Sequence, residues 1–168
     1  TITFQTGTFS GTGGVTKTGT GTVVFAGSKG YSGTTTVNAG TLRAESNAGA
    51  LGTGTLTLAG GELELANTTG LSFNRNTTIT GNATITSDRL AASPGAGVTH
   101  TLGTLSIGSN TLTIEAGGNV SSGTAGITFG TTTTTGNAGF NVGSGALLTL
   151  GALGDGGSAD TITKSGSG

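Results

Sequence analysis

Short runs in which apolar residues alternate with hydroxyl-bearing or charged ones recur along the whole chain, broken by Gly, Asn and Ser. Leu56 and Leu58 alternate with Thr55 and Thr57, Leu63 and Leu65 with Glu62 and Glu64, and Ile79 lies between Thr78 and Thr80. In a strand, residues i and i+2 point to the same side, so this alternation predicts a Leu/Ile face toward an interior and a Thr/Glu face toward water. The runs are rich in β-branched residues, which suit a pleated surface. No window sustains a 3.6-residue pattern, and Gly interrupts each one, so helices are not expected.

The runs are periodic. First strands begin near Val15, Thr34, Thr55, Thr77, Val98, Asn119, Phe140 and Thr161, about 21 residues apart, a spacing typical of solenoids. Second strands follow a short bend, at 22–25, 41–44, 62–65, 83–86, 104–107, 126–129 and 146–150. A third, more variable segment closes each turn around anchors such as Tyr31, Leu51, Leu71 with Phe73, Leu90, Leu112 with Ile114, or Leu153. The expected fold is all-β: one parallel β-helix over 1–168, of about eight coils. Its inner columns should hold Val23, Phe25, Leu42, Leu56, Leu58, Leu63, Leu65, Ile79, Ile85, Leu105, Ile107, Val120, Ile127, Phe129, Val142, Leu148, Leu150 and Ile162. In 130–139 only a Thr run fills the third place, so that stretch should pack least firmly. Antiparallel hairpins in a sandwich would not produce a three-part period.

Two stretches carry a family likeness. Val15-Thr16-Lys17-Thr18-Gly19-Thr20-Gly21-Thr22, followed by Tyr31-Ser32-Gly33-Thr34-Thr35-Thr36-Val37-Asn38-Ala39-Gly40-Thr41-Leu42, closely resembles the autotransporter-associated β-helix repeat of secreted bacterial passenger regions. The likeness spans about 13–65 and returns at 162–168. It departs at Ser28-Lys29-Gly30, where the family usually has Asn-Thr before the Tyr. The resemblance implies a right-handed parallel β-helix located outside the cell or on the bacterial surface, and no shared catalytic residues.

Composition narrows the classes further. With 36 Gly, one Pro and only 8 % charged residues the chain is Gly-rich, but disordered chains are charge-rich and poor in β-branched residues, so order is expected. The net charge of −1, with scattered Lys and Arg, gives no basic patch for nucleic acid and no polybasic membrane surface. No apolar run approaches the ~18–20 residues that span a bilayer, and no signal peptide is present. The chain has no Met, so a processed or excised piece is expected, and no Cys, so disulfides do not stabilise it.

Reading from the end back to the start, 161–168 followed by 1–4 gives TITKSGSGTITF, which parallels GVTKTGTGTVVF at 14–25. The ends are therefore expected to be in phase, with the beginning of one unit supplying the second strand of a coil left incomplete at its end. Neither end carries a polar cap, although open solenoid ends normally need one. Thr1, Ile2, Thr3 and Phe4 with Thr161, Ile162, Thr163 and Lys164 thus form a candidate assembly interface, for a tandem array or a head-to-tail filament whose partner is the chain itself.

Candidate chemistry is sparse. His100 is the single His, no Gly-x-Ser-x-Gly elbow occurs, and neither a zinc site nor a triad can be assembled, so no cofactor is expected. Glu62 and Glu64 have the spacing of a glycosidase carboxylate pair, about 6–7 Å along a strand. Their Leu63 and Leu65 neighbours turn them toward solvent, where nothing should raise either pKa. The 155–160 run (DGGSAD) is only a loose match to a calcium-binding nonapeptide. Asn67, Asn76, Asn82 and Asn119 begin Asn-x-Ser/Thr triplets that Asn- and Thr-rich composition produces by chance. The recurrent Thr-x-Thr pairs, Thr34/Thr36, Thr55/Thr57, Thr78/Thr80, Thr99/Thr101 and Thr161/Thr163, should face outward. The first four pairs form a possible binding face, resembling some β-helical ice-binding surfaces, interrupted by Asn119, Ser121 and Asn141. The expected role is a non-enzymatic, extracellular β-solenoid module of a bacterial surface fibre or stalk, acting in cohesion or in adhesion to a host or matrix surface. The alternatives are a Thr-face protein binding ice or glycan, then a polysaccharide-active enzyme.

Overall fold

The computed structural model describes residues 1–5 and 9–168. Every strand pairing among them is parallel, as stacked coils require, and no helix occurs. An eight-stranded sheet runs in chain order through Ile2–Phe4, Thr22–Ala26, Thr41–Glu45, Glu62–Ala66, Ala83–Asp88, Thr111–Ala116, Ala138–Val142 and Ile162–Ser165. A seven-stranded sheet holds Val15–Lys17, Thr35–Val37, Leu56–Leu58, Thr77–Ile79, Leu105–Ile107, Thr132–Thr134 and Leu153–Gly154. The third side is broken into shorter pieces: Ser10–Gly11 with Gly30–Tyr31, then Thr99–Thr101, Ala125–Thr128 and Ala146–Thr149, beside Gly95–Ala96 with Val120–Ser122.

The alternating residues divide as expected. On the eight-stranded sheet, Val23, Leu42, Leu63, Ile85, Ile114 and Val142 stand in one inward column, each paired with the next. On the seven-stranded sheet, Val37, Leu58, Ile79 and Ile107 form another. Each Leu or Ile so buried contributes roughly 1.5–3 kcal/mol, and no single coil could bury it alone. Phe73, Leu51 and Tyr31 close the third side. The Tyr31 hydroxyl lies 2.5 Å from Thr35 Oγ1, so both inward polar groups are satisfied.

The even 21-residue spacing holds only for the first half. From Ile2 to Val23, Leu42, Leu63 and Ile85, successive register partners are 21, 19, 21 and 22 residues apart. The next two steps, Ile85 to Ile114 and Leu112 to Phe140, are 29 and 28 residues, and Phe140 to Lys164 is 24. The added residues form the extra Gly95–Ala96 and Val120–Ser122 strands. A widened coil is thus longer by about one strand-plus-bend, so a count in steps of 21 still falls on strands, but on the wrong side.

Several expectations are corrected for this reason. The second-strand run at 104–107 lies in the first-strand (seven-stranded) sheet, and those at 126–129 and 146–150 lie on the third side. Leu112 and Ile114, expected in a third segment, belong to the eight-stranded sheet. Phe140 and Ile162, placed in first strands, are in that sheet as well. Thr132 and Thr134 are fully buried and directed inward, so 130–139 is not the loosest stretch. Of the expected inner residues, Val23, Val120, Leu148 and Leu150 are only half-buried and Ile162 is exposed.

Candidate functional site

The two long sheets present chemically opposite outer faces. On the seven-stranded sheet, Thr16, Thr36, Thr57, Thr78, Ser106 and Thr133 form one continuous register column. Two residues earlier on these coils stand Gly14, Thr34, Thr55, Asn76, Thr104 and Thr131, and two later stand Thr18, Asn38, Ala59, Thr80, Gly108 and Thr135. None of these positions is charged. Thr34 and Thr55 hydroxyls are hydrogen-bonded at 3.0 Å. Six residues of the expected face, Thr34, Thr36, Thr55, Thr57, Thr78 and Thr80, are therefore brought together. Thr99 and Thr101 are not: they flank His100 on the third side, opposite Gly126 and Thr128. Asn141 is on the eight-stranded sheet and Ser121 on the third side, so neither interrupts the array.

The outer face of the eight-stranded sheet gathers much of the molecule's charge. Arg43, Glu45, Glu62, Glu64, Asp88 and Glu115 all project from it, on four adjacent strands. Arg43 is the hub. Its Nε donates to Glu45 at 2.8 Å, its Nη1 to Glu64 and to Asp88 (3.2 Å), and its Nη2 to the Arg89 carbonyl at 3.1 Å. Asp88 also accepts from the Asn119 backbone (3.0 Å) and side-chain amide (2.7 Å). Burial alone would raise the Asp88 carboxyl, but bonds from the Arg89 backbone and Asn119 outweigh it and hold it below the usual Asp range.

The expectation that Glu62 and Glu64 are simply solvated is overturned for Glu64. The widened coil brings Asp88 and Arg89 against this part of the sheet, leaving the Glu64 side chain only 17 % exposed. Burial pushes its carboxyl up from 4.5 to about 7, against the pull of Arg43. Glu62 is held differently, accepting from Thr86 Oγ1 at 2.5 Å and Thr41 Oγ1 at 3.1 Å. Beside it lies a shallow open trough of about 710 Å³, lined by Thr41, Glu62, Asn82, Thr84, Thr111 and Thr113 with corner glycines. No aromatic ring lines the trough to stack a sugar.

The remaining candidates have structural duties. His100 is fully buried, edge-on to Phe73 at 5.9 Å between ring centroids. The Leu71 N–H donates to its Nδ1, so the proton resides on Nε2, which donates to the Asp88 carbonyl at 3.3 Å. Burial lowers its pKa, keeping the ring neutral. Asn76 and Asn82 accept backbone N–H groups of the next coil, from Thr104 (3.1 Å) and Thr111 (2.8 Å). The 155–160 run forms a corner in which Asp155 accepts from the Gly157 N–H at 2.9 Å.

Two lysines that the sequence did not mark as structural anchor corners. Lys17 Nζ donates to the carbonyls of Thr18 and Gly19 and, in the following coil, of Ala39. Lys29, the departure from the family pattern, is buried and donates to Ala26, Gly27 and Gln5 carbonyls above the Phe25 ring. Lys164, on the eight-stranded sheet, likewise donates to corner carbonyls, those of Gly166 and Gly168, but is exposed.

The exposed large apolar side chains among the described residues lie at the two ends of the stack. They are Ile2, Phe4 and Phe9 at one end and Leu147, Leu153 and Ile162 at the other, each 36–60 % exposed. Each end is hollowed. A groove of about 440 Å³ includes Phe4, Phe9, Val23 and Phe25, and one of about 270 Å³ includes Phe140, Leu147, Leu150 and Ile162. The expected end residues thus do mark the end surfaces, but not as halves of one coil. Ile162–Ser165 occupies the same sheet as Ile2–Phe4, so a direct 168-to-1 join would place these strands eight residues apart, far short of a coil.

This architecture defines a parallel β-solenoid with one uncharged hydroxyl face, one charged face and two apolar ends. The passenger-associated-transport-repeat family model matches residues 15–44, the stretch that contains the Lys17 corner, so this part of the chain is similar to that repeat. Neither the curated proteins nor the solved structures include a match to the chain.

Proposed function

We propose that the chain is an extracellular structural module, a segment of a bacterial surface stalk or fibre extended by the stacking of further coils on both ends. The confinement of exposed large apolar side chains to the end surfaces carries this reading. Head-to-tail stacking of a second copy would set its Ile2–Phe4 on Ile162–Ser165 and its Val15–Lys17 on Leu153–Gly154. Each added strand would be parallel to its neighbour and in the same sheet. Such a contact is heterologous and grows without closing. The contact involves Thr1, Ile2, Thr3 and Phe4 on one copy and Thr161, Ile162, Thr163 and Lys164 on the next. Sedimentation and negative-stain microscopy of the chain are expected to show concentration-dependent filaments, abolished in a Phe4→Asp, Ile162→Asp double variant. A wild-type chain that stays monomeric at high concentration would refute stacking.

A second reading rests on the unbroken hydroxyl column Thr16, Thr36, Thr57, Thr78, Ser106 and Thr133 and the uncharged positions that flank it. With a rung spacing of about 4.8 Å and i, i+2 spacing of about 6.7 Å, they offer a regular lattice to ice or to a glycan surface. Thermal hysteresis in the wild type, lost on Thr57→Lys, is the expected result on that reading. Its absence in the wild type would remove ice as the ligand.

A further inference from the structure

A network of buried charges, not required by the regular solenoid, ties the two widened coils to the coils before them. Arg43 and Glu64 belong to regular coils, Asp88 and Arg89 open the first widened coil, and Asn119 lies in the second. One guanidinium faces three carboxyl groups, Glu45, Glu64 and Asp88, with side-chain exposures of 23, 17 and 2 %. Glu64 and Asp88 both accept from the same nitrogen, Arg43 Nη1, which draws the two carboxyl groups together. One cation cannot balance three anions at such low exposure, whereas one proton shared between Glu64 and Asp88 leaves an ion-paired, hydrogen-bonded set.

We infer that Glu64, Asp88 and Arg43 form a proton-operated clasp, closed when Glu64 holds a proton and loosened when it is lost, fastening the widened coils 88–98 and 117–124 to the sheet. The other charged groups facing it act consistently. Glu62 on the Glu64 strand and Glu115 beyond Thr86 add negative charge, disfavouring a second ionised carboxyl. Arg89 turns away to the carbonyls of Thr68, Ser93 and Ala96, so it does not neutralise the set. His100, behind Asp88, is kept neutral by burial and contributes no charge.

The pH window follows from the carboxyl groups. Glu64 has a folded pKa of about 7 against 4.5 when free, so its stabilising contribution is complete below about 4.5 and is lost as pH rises through 7. Asp88 has the opposite displacement, and its contribution disappears only when pH falls below the usual Asp range. The clasp is therefore closed in mildly acidic to neutral solution and opens on the alkaline side.

Hydrogen exchange on the full chain between pH 5.5 and 8.5, expressed as protection relative to the intrinsic rate, tests this. Protection across 88–98 and at the Asn119 amide should fall about tenfold through neutrality, while the Leu63 amide stays protected. Glu64→Gln, a permanent mimic of the protonated side chain, should hold the protection level. Equal pH dependence in both proteins, or none in the wild type, would overturn the clasp. If Glu64→Gln does not fold, the wild-type Glu64 side-chain carbon resonance decides. A midpoint near 7, shared with the Asn119 side-chain amide, supports it, and one near 4.5 overturns it.

Discussion

Leu63→Asp is expected to unfold the middle of the stack. Leu63 has no exposed surface and is sandwiched in its column between Leu42 and Ile85. The substitution removes apolar contacts to both neighbours and buries a carboxylate with no partner, at a cost of several kcal/mol. That is a large part of the roughly 5–15 kcal/mol by which folded domains are stable. Thr57→Ala, in the outward column of the other sheet, should change stability by less than about 1 kcal/mol. Thermal unfolding followed by circular dichroism compares the two directly. Similar midpoints for both variants would contradict the inward and outward assignment.

Arg43→Met should have the next largest effect, and one that depends on pH. The methionine keeps much of the side-chain volume but strands Glu64 and Asp88 without their cation. Breaking a buried pair from one side costs about 3 kcal/mol or more. The loss should be greatest at pH 8, where Glu64 is ionised, and smaller at pH 5.5, where its raised pKa lets it carry a proton. Urea unfolding at the two pH values measures the difference. A penalty independent of pH would mean that Arg43 acts mainly through packing.

The Lys residues show why local function was harder to read than fold. Lys17 and Lys29 look like solvated charges in a list of residues, yet both bury their stems and satisfy corner carbonyls. The signal for Lys17 was present in the family-like turn. Lys29 had no such signal, because its value comes from carbonyls of Ala26 and Gln5 that meet only when coils stack. Glu64 is a similar case. The Leu63/Leu65 alternation correctly turned it outward, but its proton affinity comes first from burial, and then from Arg43 and from Asp88, 24 residues further along the chain.

The sequence by itself determined the parallel β-solenoid, the inward Leu and Ile columns up to Ile85, and the outward Thr pairs from 34 to 80. These follow from alternation, which is a property of each strand alone, and from a period that repeats it. Only the tertiary structure decided which side each later strand joins, because a widened coil adds about one strand's length and leaves the local pattern unchanged. It alone separated Thr99 and Thr101 from the hydroxyl face and assembled Arg43, Glu64, Asp88 and Asn119. Those contacts join residues from four coils, and their energies depend on burial and mutual distance, which no spacing along the chain specifies.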